Sequence, residues 1–157
     1  MNRLGADITI CRMTESDLDA VMAISQTLPD APEWPREAYL AAIDPGIQPP
    51  RIALVARASD SQIVGFTIAV LIPPQAELET IAVGVQAQRR GVGQQLFLSL
   101  RTELKKAHIT EIALEVRRSN YSAQGFYSSL GFIEIGGRDS YYVDPIEDAL
   151  LLQLRIS

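Results

Sequence analysis

The chain has 157 residues, 47% hydrophobic and 21% charged, enough for one domain with a substantial core and too few for two. Nineteen Asp+Glu against fourteen Lys+Arg give a net charge of −5, the wrong sign for phosphate-driven binding to free DNA or RNA and one that attracts a basic peptide. A single cysteine, Cys11, and a single histidine, His108, exclude an internal disulfide, a cysteine zinc cluster and most Ser-His-Asp arrangements.

The absence of any run of about 18 uninterrupted apolar residues argues against a membrane span. Met1 to Asp7 lacks the apolar centre of a secretory signal, and with the lone cysteine this reads as a cytoplasmic protein with no metal. In chain order, Ile8 to Met13 alternates weakly and predicts a first strand. Thr14, with Asp17 three residues on, marks a helix start ahead of Leu18, Val21, Met22 and Ile24. The turn-rich stretch from Pro29 ends in Pro35, which suits the first position of a short helix over Arg36 to Ile43. After a proline-rich loop come strand-like runs, Arg51 to Ala58, Ile63 to Ile72 and about Glu77 to Val83.

From Val92 to about Ala107 the apolar positions Val92, Leu96, Leu100 and Leu104 recur every four residues, with Phe97 alongside, and predict an amphipathic helix. Ile109 to Val116 reads as a strand. Ser119 or Asn120 caps another helix, burying Ala123, Phe126 or Tyr127, and Leu130, with Gly131 as its stop. Two strands, near Phe132 to Ile135 and Ala149 to Leu154, finish the chain. Several strands before any long helix argue against a repeated βαβ unit. They predict an α+β fold with a mixed, mostly antiparallel sheet.

Gln88-Arg89-Arg90-Gly91-Val92-Gly93-Gln94 joins a strand to the long helix. Glycines there let backbone approach a ligand, and the first helical N–H groups have no internal partner. Those donors, the positive end of the helix dipole and two arginines suit a pyrophosphate. A tight turn with solvated arginines is the plainer alternative. A Walker loop is excluded because no Gly-Lys-Ser/Thr follows. A dinucleotide fingerprint would use Gly91-Val92-Gly93 and Glu115, but Leu96 stands at the third glycine and too few residues remain for a doubly wound sheet.

Leu78-Glu79-Thr80-Ile81-Ala82-Val83 followed by Gln88-Arg89-Arg90-Gly91-Val92-Gly93 resembles the acetyl-CoA motif of the GNAT N-acetyltransferases. Leu114-Glu115-Val116-Arg117-Arg118-Ser119-Asn120, Phe126-Tyr127-Ser128-Ser129-Leu130-Gly131-Phe132, and Arg138 with Tyr141-Tyr142 resemble the RimI-type branch, the ribosomal-protein alanine N-acetyltransferases. The resemblance covers about Leu78 to Leu154. It implies a single GNAT domain over 1–157, with a twisted sheet flanked by helices on both faces and acetyl-CoA in a splay between central strands. It also implies a protein N-terminal α-amine as acceptor, with the alanine of ribosomal protein S18 as the specific expectation.

By matching positions, Ile81, Ala82 and Val83 would pair with the pantetheine arm, and Arg89, Arg90, Gly91, Val92, Gly93 and Gln94 would wrap the pyrophosphate. Asn120 would contact the cofactor near its reactive end. Glu115 would be the general base and Tyr127 the general acid. Trp34, Tyr141 and Tyr142 would line the acceptor groove. Each has a plainer reading. Glu115 could be a solvent-facing strand end, Tyr127 a core aromatic, Asn120 an N-cap, and the tyrosine pair cross-strand packing. Gly84-Val85 departs from the branch's usual Asp-Pro, and Gly125 replaces a usual alanine. Two rival functions are acetylation of a small-molecule amine and a non-catalytic acyl-CoA-binding module.

Overall fold

The computed structural model describes residues 7–156; the stretch 1–6, read above for a leader, lies outside them. In chain order the elements are β1 (Thr9–Arg12), α1 (Leu18–Thr27), α2 (Arg36–Ile43), β2 (Arg51–Arg57), β3 (Ile63–Ile72), β4 (Gln75–Val83), α3 (Val92–Lys106), β5 (Glu111–Arg117), α4 (Tyr121–Ser129), β6 (Ile133–Val143) and β7 (Ile146–Arg155). The strands form a seven-stranded sheet in the order β1-β2-β3-β4-β5-β7-β6. Among the described residues only β4 and β5 run parallel, so the expected mixed, mostly antiparallel α+β sheet is present.

Both faces of the sheet centre are covered, and β2 shows why. Its Ile52, Leu54 and Ala56 pack with Leu96, Leu100 and Leu104 of α3, while Ala53 and Val55 pack with Leu18, Val21 and Tyr39 of α1 and α2. A strand buried on both sides reads as a continuous apolar run, which Ile52 to Ala56 is. The four-residue repeat of α3 puts three leucines at zero exposure, each worth about 1.5–3 kcal/mol of burial. Among the described residues no helix covers β5, β7 and β6 on the α1–α2 side, and Glu115, Arg117, Glu147 and Tyr142 lie there.

Local signals had local outcomes, with three adjustments. At Thr14 the chain first makes a 3₁₀ turn over Glu15–Asp17, and only then α1. Asp17 Oδ2 accepts the Thr14 N–H at 2.8 Å, while its Oδ1 takes Arg57 Nη2 at 2.5 Å. Asn120, rather than Ser119, caps α4, accepting the Ala123 N–H at 3.1 Å. The largest correction is the closing hairpin. The two short strands expected near 132–135 and 149–154 are arms of eleven and ten residues. Gly136-Gly137 and Arg138-Asp139-Ser140 look like loop sequence, but β6 carries them by slipping register between Glu134 and Gly136 and again between Arg138 and Tyr142. Ser140 sits at φ 49° and its N–H is held by Asp148 Oδ1 at 2.8 Å.

Candidate active site

A bulge in β4 opens the sheet. Ile68 pairs with Thr80 but Ala69 pairs with Leu78, leaving Glu79 without a partner on β3 and bending the strand. On its other side β4 pairs with β5 only from Gln75↔Glu111 to Glu77↔Ala113. Strand β5 meanwhile stays paired with β7 as far as Arg117↔Ala149. Beyond Glu77 and Ala113 the two central strands therefore part. The β4 backbone through Ile81, Ala82 and Val83 borders the wedge, with Ala82 buried and its neighbours half-buried. An amide-bearing chain could add there as a short strand.

The glycine loop lies at the mouth of this wedge. The chain leaves β4 through a 3₁₀ turn over Val85–Ala87, so Gly84-Val85 forms the turn without the usual Asp-Pro. Gln88 Nε2 donates to the Val83 carbonyl at 3.0 Å and ties the loop to the strand end. Arg89 and Gly91 adopt φ 63° and 83°, which turns the backbone sharply into α3. The Gln95 N–H bonds the Gly91 carbonyl at 3.0 Å, so the N–H groups of Val92, Gly93 and Gln94 precede the helix's own ladder. With the exposed Arg89 and Arg90 beside them, these donors suit a diphosphate. Gly93 has a second role: a Cβ there would stand 3.2 Å from Phe126 Cζ and 3.7 Å from Val83 Cγ2, so its absence lets α3, α4 and β4 meet.

Glu115 lies on the uncovered face of β5, its side chain 17% exposed, and accepts a hydrogen bond from Arg138 Nε at 3.1 Å. The nearby Glu115 carboxylate is the main reason that the Tyr141 phenol is pushed up to about 12, with burial next. Tyr127 packs its ring 5.5 Å from Phe126 and 5.6 Å from Phe132. Burial pushes its phenol up to about 12, with a smaller contribution from Tyr142. Tyr142 is raised by burial and then by the charge of Glu115, while Arg117 works in the opposite direction. Strand alternation would send Tyr141 and Tyr142 to opposite faces; the Arg138–Tyr142 bulge instead leaves their rings edge-on at 5.1 Å.

Trp34 forms one wall of a concavity of about 330 Å³, with Pro35, Ala38, Ala41, Arg51 and Glu79. The unpaired Glu79 of the bulge takes Arg51 in a bidentate pair, at 2.6 and 3.2 Å. Glu77, two residues before Glu79 on β4, has its carboxyl raised by burial and then by the charges of Glu115 and Glu79. Sequence reasoning assigned no role to Gln88, Arg51, Glu77 or Glu79. Glu79 was visible in its motif, but only the bulge tells where it points.

Residues 18–132 match the Acetyltransferase (GNAT) family. The chain is 34% identical over 151 residues to the [ribosomal protein bS18]-alanine N-acetyltransferase of Salmonella typhimurium, covering 95% of this chain and 98% of that protein. It superposes on the crystal structure of the ribosomal-protein-S18-alanine N-acetyltransferase from Escherichia coli with a TM-score of 0.83 at 32% identity, over 96% and 94% of the two chains. Ard1 from Thermoplasma volcanium shares the fold, with a TM-score of 0.84 at 23% identity, over 96% of this chain and 99% of that one.

Proposed function

The chain belongs to the GNAT acetyltransferase family, an acyltransferase enzyme, and we propose that it moves acetyl from acetyl-CoA to the N-terminal alanine α-amine of ribosomal protein bS18. The observation that carries this reading is the parting of β4 and β5 beyond Glu77 and Ala113, with a carboxylate on β5 and free helix N–H groups at the mouth. In this reading the whole chain acts as one catalytic domain.

Bound acetyl-CoA supplies the thioester. Its arm would pair with the backbone of Ile81, Ala82 and Val83, and its diphosphate would take the N–H groups from Gly91 to Gln94 with Arg89 and Arg90 alongside. Asn120 uses its Oδ1 as the α4 cap and keeps its amide NH₂ for the donor. Glu115 receives the proton of the acceptor amine, directly or through water. An α-amine with a pKa of about 7.7–8.0 is already about one-tenth neutral at pH 7, so this costs about 1 kcal/mol, against nearly 5 for lysine. Tyr127, with its phenol raised to about 12, holds its proton until the departing sulfur needs it. Transfer is direct within a ternary complex. Trp34 on one side and Tyr141 and Tyr142 on the other border the acceptor.

A peptide-array acetylation assay tests this. Peptides beginning with alanine, the bS18 sequence among them, should be modified, and internal lysines and free polyamines should not. Transfer confined to lysines or small amines would replace the acceptor assignment, and coenzyme binding without any transfer would favour a non-catalytic module.

A further inference from the structure

One side chain in this region is committed to more partners than its place at a strand end requires. Arg117, the last residue of β5, lies on the same face as Glu115, two residues away. Its guanidinium carbon stands 4.2 Å above the centre of the Tyr142 ring. Its Nη1 reaches both Glu147 Oε1 and the Pro145 carbonyl at 3.4 Å. The pair is largely withdrawn from water, with side chains 23% and 18% exposed. Glu147 spends its other oxygen on the Ser119 N–H, at 2.6 Å, immediately before the Asn120 cap of α4. The Arg117 carbonyl takes the Asn120 N–H at 3.0 Å and Gln124 Nε2 at 3.1 Å.

We infer that Arg117 is a positioning residue. It clamps the β6–β7 hairpin to the start of α4, and so fixes Tyr142 on the face that carries the Glu115 carboxylate, against the start of the helix that carries Tyr127. This rests on the roles proposed above for those two residues. The register explains how the clamp is built: Arg117 lies opposite Ala149 and Tyr142 opposite Glu147, so the three side chains share one face across β5, β7 and β6. Tyr142 also meets the Tyr141 ring edge-on at 5.1 Å, so its placement sets that of its neighbour. A cation over a ring holds the plane of that ring, and loss of the cation lets the bulged hairpin swing Tyr142 out of register with the acid and the base.

The test is steady-state kinetics on an alanine-led peptide with Arg117→Gln, Arg117→Lys and Glu115→Gln. Arg117→Gln should lower kcat and raise the peptide KM so that kcat/KM falls about tenfold, because a small misplacement of reacting groups is costly. The acetyl-CoA KM should stay within about twofold, and Arg117→Lys, which keeps a cation over the ring, should recover most of the loss. A merely structural arginine would instead lower kcat with the folded fraction and leave both KM values unchanged, and lysine would bring no rescue. Should Arg117→Gln fail to fold, Glu147→Gln replaces it with the same expected loss, since it removes the anion that holds Arg117 and leaves Tyr142 itself intact. Full activity in the Arg117 and Glu147 variants beside an inactive Glu115→Gln enzyme overturns the clamp alone. Full activity in Glu115→Gln overturns the proposed roles and the clamp with them.

Discussion

Arg138 Nε donates to Glu115 Oε1 at 3.1 Å, so the carboxylate proposed as base already holds a guanidinium from the closing hairpin. Arg138 is 56% exposed, and an exposed ion pair is worth about 0.2–1 kcal/mol. The acceptor's ammonium can displace it at little cost. Removing the guanidinium by Arg138→Gln should therefore change kcat/KM by about fivefold at most. Glu115→Gln, which removes the proton acceptor, should cost about a hundredfold or more in kcat, with acetyl-CoA affinity unchanged. Equal losses in the two variants would show that the pair, and not proton transfer, is what Glu115 provides.

The pH dependence follows from Tyr127. A phenol raised to about 12 keeps its acidic form to higher pH than a free tyrosine. The rate should rise as the acceptor α-amine loses its proton, at about 7.7–8.0, and then stay level to about pH 10. A basic limb falling below pH 9 would exclude Tyr127 as the acid. Tyr127→Phe should lower kcat about a hundredfold across the plateau while the melting temperature holds.

The two loop glycines should fail for different reasons. Gly91 has open space around it but sits at φ 83°, so Gly91→Ala carries about 1–2 kcal/mol of backbone strain. Gly93 has an ordinary φ but no room: Gly93→Val drives a side chain into the Phe126 ring. We expect Gly93→Val to weaken coenzyme binding by about tenfold or more, and Phe126→Leu to restore part of it, since the clash rather than a lost donor is the cause. Isothermal titration with coenzyme A measures both. Unchanged affinity in Gly91→Ala and Gly93→Val would remove the loop from the site.

Gly125 offers a stability test away from the chemistry. It lies inside α4, and a Cβ there would touch nothing within 4 Å. Gly125→Ala should therefore stabilise the fold by about 1 kcal/mol, raising the melting temperature by about 2–4 °C. A fall would mean that α4 needs the glycine's freedom.

How the chain is divided into elements could be read from its residues, because those signals act over short distances. The four-residue repeat of Val92 to Leu104 is a helix stripe in any context. Ile52 to Ala56 is an unbroken apolar run because both its faces are covered, and Pro35, Asn120 and Gly131 mark helix ends through local chemistry, a fixed φ, a side-chain cap and a left-handed turn. The Gly91-Val92-Gly93 loop was legible for the same reason, since its donors come from the first turn of the helix it starts.

Partnership was decided only by tertiary structure. Glu79 meets Arg51, Asp17 meets Arg57 and Arg117 meets Tyr142 across separations of 28, 40 and 25 residues along the chain. Two of the decisive side-chain directions are set by bulges, Glu79 in β4 and Tyr141-Tyr142 in β6, where one or two extra residues break the alternation. A period of two says which face a side chain takes only while register holds. Register is settled by the neighbouring strand, and the sequence of one strand does not contain it.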